Sequence, residues 1–198
     1  MVHRYYDKPQ DQQIPNLFRC EGFVRDGRVP NRQGEDLPIH RLPPFLRALL
    51  VTDGTVTKML EAYFWEPVEV QTLEQGLITA ERPIAWLDVR TGDEVLIRRA
   101  RLQGTESDAR YANAFSVIRV ELIPKPFRQR LIDREIGIGV LIRDSGMESY
   151  REVLEVGIEP PGGAAPADSD CIFRTYRIII DAQPVILITE SFPLATYR

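Results

Sequence analysis

Only two histidines and two cysteines occur among the 198 residues, and that scarcity excludes a good deal of chemistry. His3 and His40 both lie near the N-terminus, away from the segments that read as strands. A Ser-His-Asp or Cys-His triad would have to recruit its base from there. HExxH and CxxC spacings are absent, so a zinc centre has no ligand set to start from. Cys20 and Cys171 are far apart, and so low a count suits a reduced, intracellular chain. No apolar run approaches the ~20 residues that span a bilayer. The polar stretch from Met1 to Gln13 lacks the apolar core of a signal peptide, which makes the cytoplasm the expected location. Charge of one sign is lacking too. With 25 Lys and Arg against 29 Asp and Glu the net charge is −4, which gives no general attraction for nucleic acid or anionic membrane. Chemistry without a metal and without an imidazole base is what this composition favours.

An apolar fraction of 43% over this length suffices for one domain with a proper core, here expected over residues 41–198. Residues 1–40 are polar and weakly patterned, and read as an irregular arm with one short ordered stretch around Leu17–Val24. Pro43 to Leu50 reads as a short helix with proline in its first turn. Asp53-Gly54 breaks it, and Thr55 to Phe64 reads as a second helix capped by Asp53 or a threonine hydroxyl. Pro124 to Asp133 and Ile138 to Arg143 suggest two more. Strands are expected at Val68–Leu73, Glu94–Gln103, Asn113–Leu122, Ile172–Ile180 and Val185–Phe192, with a tight turn at Asp181-Ala182-Gln183-Pro184. Gly162 to Asp170 is loop material. Few helices and several hairpin-linked strands imply an α+β fold with a mostly antiparallel sheet.

Two of these strands carry one inward charge each. A period of two places Arg98 beside Leu96, Ala100 and Leu102, and Glu190 beside Ile186, Ile188 and Phe192. A charge taken out of water costs several kcal/mol unless it is paired or bound. The two residues therefore fit either a structural ion pair or the poles of an enclosed site for a small anionic molecule. Other features carry less. Gly137-Ile138-Gly139 lacks the third glycine of a dinucleotide fingerprint. Arg99 and Arg101 fall on the opposite face from Arg98 and read as solvated, as do Lys125, Arg128, Arg130 and Arg134 along a helix. Trp65 and Trp86 read as packing residues, and Glu148, Glu152 and Glu155 as surface charges.

Two segments resemble the chorismate lyase family, in its cyanobacterial, plastid and mycobacterial-type branch. One is Leu49 to Leu60, with Asp53-Gly54-Thr55 and Thr57-Lys58. The other is Tyr176 to Glu190, ending in Gln183-Pro184 and Thr189-Glu190. The likeness runs over residues 42–194 and leaves out residues 1–40. It implies a single six-stranded, mostly antiparallel sheet with helices covering an internal ligand site. It also implies a carbon–oxygen lyase that converts chorismate to 4-hydroxybenzoate and pyruvate for a quinone head group (plastoquinone or ubiquinone), with no cofactor, metal, nucleic acid or membrane insertion. Under that likeness Arg98 binds the ring carboxylate and Glu190 bonds the ring hydroxyl, as catalytic residues. Backbone amides near Thr55, Val56 and Ile138 complete the substrate site. Gly54-Thr55 adds a residue relative to the short proteobacterial enzymes, and Gly137-Ile138-Gly139 replaces their Pro-Leu-Gly. The other reading is a non-catalytic sensor for a small aromatic acid on the same fold. Such domains normally follow a helix-turn-helix, and residues 1–40 show no such pair of helices.

Overall fold

The computed structural model describes residues 1–8, 27–30, 36–134, 137–160 and 170–197. A small ribbon, β1 (Arg28–Pro30) with β2 (Asp36–Pro38), precedes two helices, α1 (Pro44–Val51) and α2 (Val56–Phe64). Three strands follow: β3 (Val68–Thr79), β4 (Glu94–Gly104) and β5 (Arg110–Ile118). A second helix pair, α3 (Lys125–Ile132) and α4 (Ile138–Ser145), leads to β6 (Ser149–Glu159), β7 (Cys171–Ile180) and β8 (Gln183–Pro193). The last six strands make one fully antiparallel sheet in the order β3-β4-β5-β8-β7-β6. Asp181 and Ala182 both take positive φ, 49° and 61°, the left-handed pair that closes a two-residue hairpin with the twist of its strands.

Several boundaries differ from the sequence expectation. β3 runs six residues beyond Leu73, and β5 ends at Ile118, before a 3-10 turn over Val120–Leu122. β6 was not expected as a strand at all. Both β3 and β6 are edge strands with a register shift, between Thr72 and Glu74 and between Val153 and Glu155. A bulge breaks the alternation of two by which a strand is recognised. Neither Asp53 nor a threonine hydroxyl caps α2, because Thr52 Oγ1 instead accepts the N–H of Gly54 at 3.0 Å. Trp86 is buried, but Trp65, in the left-handed conformation that ends α2, is 88% exposed. The ordered stretch expected at Leu17–Val24 and the loop expected from Gly162 lie outside the described residues, apart from Asp170. Among the described residues no helix is long and apolar enough to cross a membrane.

The sheet has two differently furnished faces. One is covered by a 3-10 helix, Val2–Tyr5, whose Val2 and Tyr5 pack with Trp86, Phe115, Val117 and Leu187. Tyr5 is fully enclosed and its hydroxyl meets Thr189 Oγ1 at 2.7 Å. The other face carries the helices in two separate apolar clusters. α1 and α2 (Leu46, Leu49, Leu50, Leu60) pack on Leu102, Ala112, Ile172 and Phe192. α3 and α4 (Leu131, Leu141) pack on Leu96, Ile118, Ile178 and Ile186. Between those two sets of strand positions lies a band where the face turns polar.

The first cluster is latched by Glu66, just beyond α2. Its carboxylate accepts the N–H groups of Glu106 and Ser107 at 3.0 Å, the Ser107 hydroxyl at 2.6 Å and the Tyr111 hydroxyl. A Cβ on Gly104 would come within 2.4 Å of that carboxyl group and would displace it from these donors. These donors hold the Glu66 pKa at about 2, with the Ser107 hydroxyl the largest cause. The folded pKa is depressed, so the stabilisation is complete above about pH 4.5 and is lost as pH falls through about 2. Melting wild type and Glu66→Gln from pH 6 to pH 2 should therefore show a gap in Tm that closes toward pH 2. A constant gap would mean that the carboxylate's charge is not what the latch uses.

Candidate active site

The polar band is assembled by register. Arg98 on β4 stands opposite Gln75 on β3 and Ser116 on β5. Glu190 on β8 stands between Ala114 on β5 and Arg174 on β7. Tyr176 follows one step along β7, beside Ile188. All of these side chains share the helical face. Arg98, Ser116, Arg174 and Glu190 are buried, with Arg98 only 5% and Glu190 7% exposed. Strands about 4.8 Å apart with a rise of about 3.4 Å per residue put the Cα atoms of Arg98 and Glu190 about 12 Å apart. That span suits a small ring held between two side-chain tips.

At the Arg98 end, Nη2 donates to Thr72 Oγ1 at 2.7 Å. Burial, and then the nearby charge of Arg134, push the guanidinium pKa below its ordinary value. An arginine nonetheless keeps its charge at neutral pH. Gln75 donates through Nε2 to the carbonyls of Leu131 and Ile132 at 3.0 and 2.8 Å. Those are end-of-helix carbonyls of α3, so Gln75 caps that helix from the sheet and fixes it over the band.

At the Glu190 end the sequence reading was incomplete. Arg174 Nε donates to Glu190 Oε2 at 2.9 Å, and Nη2 lies 2.8 Å from the same oxygen as an ionic contact. Tyr176 donates its hydroxyl to Oε1 at 3.2 Å. Burial, and then the negative charge of Glu190, raise the Tyr176 pKa, so the phenol stays a donor. The Arg174 guanidinium also stacks 4.6 Å from the Tyr176 ring centroid. Its Nη1 donates to the Thr52 carbonyl at 2.7 Å, and Arg151 donates to the Asp53 carbonyl. One arginine thus ties the carboxylate to the turn between α1 and α2. The signal was present: alternation puts Arg174 beside Ile172, Tyr176 and Ile178 on an apolar face, as it did for Arg98 and Glu190.

The amides expected near the ligand belong to two helix N-termini. Thr55 is the N-cap of α2 and Val56 its first residue. Gly137 is the N-cap of α4 and Ile138 its first residue. First-turn N–H groups have no partner within their own helix. The two ends adjoin each other, since a Cβ on Gly139 would lie 3.9 Å from Thr55 Cγ2. Two buried polar atoms of the same face, Gln75 Oε1 on β3 and Arg151 Nε on β6, have no hydrogen-bond partner among the described residues.

Comparison with known proteins gives the family and the fold. The family described as "Chorismate pyruvate-lyase Rv2949c-like" matches residues 50–198, a span that contains every strand of the sheet. The chain belongs to that family. A "Chorismate pyruvate-lyase" of Mycobacterium leprae is 30% identical over 176 residues, covering 86% of this chain and 84% of that one. One from Mycobacterium tuberculosis is 27% identical over 173 residues, covering 82% and 86%. Among solved structures, PhnF from Mycobacterium smegmatis superposes with a TM-score of 0.58 at 17% identity, covering 85% of this chain and 74% of that chain. Its effector domain gives 0.55 at 15% identity, covering 71% and 88%. Identities so low establish a shared fold. The Rv2949c-like family relation rests on the sequence matches.

Proposed function

We propose that this protein is a chorismate pyruvate-lyase, a carbon–oxygen lyase that forms 4-hydroxybenzoate and pyruvate from chorismate, and that Arg98 and Glu190 are the two poles of its site. The observation that carries the reading is the buried polar band between the two apolar clusters. It holds Arg98 and Glu190 at the positions expected from the chorismate lyase likeness, with Arg174 paired to Glu190.

Chorismate is a dianion with a ring carboxylate para to a hydroxyl and an enolpyruvyl ether beside that hydroxyl. The C–O bond to the ring breaks and the hydroxyl-bearing carbon loses its proton. The ring becomes aromatic, and the released enolpyruvate becomes pyruvate. Aromatisation drives the step, so the protein has only to hold the reactive conformer, support the departing oxyanion and exclude water. Arg98 offers two parallel donors to the ring carboxylate. Glu190 already accepts from Arg174 and Tyr176, and it orients the ring hydroxyl as a further acceptor. With the carboxylate so engaged, the departing enolpyruvyl group is the better receiver of the ring proton. The amides at Val56 and Ile138, at the positive ends of α2 and α4, suit an oxygen that gains charge as the ether breaks.

Incubation of the purified protein with chorismate alone should yield equal amounts of 4-hydroxybenzoate and pyruvate above a no-enzyme control. Tight 4-hydroxybenzoate binding with no turnover would instead identify a sensor on the same fold.

A further inference from the structure

The face of β4, β5 and β8 that turns away from the candidate active site holds a cleft of about 200 Å³. At a water's share of about 30 Å³ it would take roughly seven waters, or one acid the size of benzoate. Arg4, Arg99, Arg101 and Arg110 line it, with Glu159 the one lining carboxylate among the described residues. Phe115, Leu73 and Pro160 give it apolar walls, and Asn113 and Ser191 add polar groups. Register confirms the construction: Arg99 stands opposite Phe115, Arg101 opposite Asn113, and Asn113 opposite Ser191.

Two of these arginines contact a carboxylate among the described residues. Arg4 is bound to Glu159 at 3.2 Å, and Ser191 donates to the same carboxylate. Arg99 contacts Glu74 at 3.2 Å, an exposed pair that water screens. Arg101 is half-buried, and its Nε is a buried donor with no hydrogen-bond partner among the described residues. A buried N–H without an acceptor costs free energy that a bound oxyanion would recover. The sequence reading left Arg99 and Arg101 as a solvated face, whereas in the fold they border a concave, cationic, partly apolar recess.

We propose that this cleft is a second ligand site, which takes a small organic acid with one carboxylate on a planar apolar body. Arg101 receives the carboxylate, and the apolar body rests against Leu73 and Pro160 over the buried Phe115. The site is separate from the candidate active site by the thickness of one sheet and does not depend on the lyase reading. It shares strands with that site, because Thr189 and Ser191 flank Glu190, and Arg99 flanks Arg98.

The test uses the full chain carrying Arg98→Met, which disables the other anion site, titrated with benzoate by calorimetry. Binding should persist with one site per chain, weaken with added salt, and fall at least about tenfold when Arg101→Gln is added. Benzoate should also shift the amide NMR signals of Asn113 and Ser191 in the Arg98→Met chain, a readout that needs no second substitution. Inorganic phosphate serves as the comparison anion. Binding of phosphate more tightly than benzoate would overturn the assignment to an acid with an apolar body. No benzoate binding in the Arg98→Met chain, with Asn113 and Ser191 unshifted, would overturn the site itself. Loss of chorismate turnover in wild type with these benzoate responses intact would count against the lyase reading alone.

Discussion

Arg98→Met is expected to lower kcat/KM on chorismate by about 100-fold or more while the fold survives. Hydrogen bonds to a charged partner are worth about 1.5–3 kcal/mol each, and about 1.4 kcal/mol is tenfold in rate, so losing a two-pronged grip reaches that size. Stability should move the other way or hardly at all. Burial and the charge of Arg134 both push the Arg98 pKa down, which means that the folded, ligand-free protein holds this charge at a cost. Methionine keeps much of the length and removes the charge. The expected signature is thus an unchanged or higher Tm, lost turnover and weakened 4-hydroxybenzoate binding. Sites built for ligands commonly trade stability for function in this way. A variant that keeps wild-type kcat/KM would remove Arg98 from the site.

That Arg98 and Glu190 could be singled out from sequence follows from where they sit. β4 near Arg98 and β8 from Ile186 to Glu190 are unbulged stretches of interior strands, so alternation reports faces there without error, and a lone charge among aliphatic residues stands out. The edge strands were read poorly for the converse reason. In β6 the shift between Val153 and Glu155 sends Leu154 to the face opposite Val153 and Val156, and the segment loses its period of two. β3 is cut the same way at Leu73. Arg174 was hidden differently. Both faces of β7 are apolar and both carry an arginine, Arg174 and Arg177, so neither looked exceptional. Only the fold shows that Arg177 reaches Glu152 at 2.7 Å, half-exposed, while Arg174 is enclosed against Glu190. The tie from Arg174 to Thr52 joins residues 122 positions apart, and no local pattern encodes it.

The Arg174–Glu190 pair gives the largest expected effect on stability. Its side chains are 1% and 9% exposed, so removing either partner strands a charge in a low-dielectric interior. Breaking a buried pair in this way costs about 3–5 kcal/mol. In a chain of this size each kcal/mol moves Tm by about 2–4 °C, so Arg174→Met should melt on the order of 10 °C below wild type. Glu190→Gln keeps the shape of its side chain but leaves Arg174 uncompensated, and it should also lose stability rather than turnover alone. The double variant Arg174→Met/Glu190→Leu should recover most of the loss, because two well-packed apolar side chains can replace a buried ion pair at little cost. Activity should not recover with it. The hydroxyl acceptor is gone, and so is the anchor that holds the Thr52 carbonyl and, with it, the turn leading into Thr55 and Val56. Recovery of Tm without recovery of turnover would separate the two duties of Glu190, one toward Arg174 and one toward the substrate. Single variants that melt with wild type would show that the pair does not hold the sheet face together, and the turn would then owe its position to α1 and α2 alone.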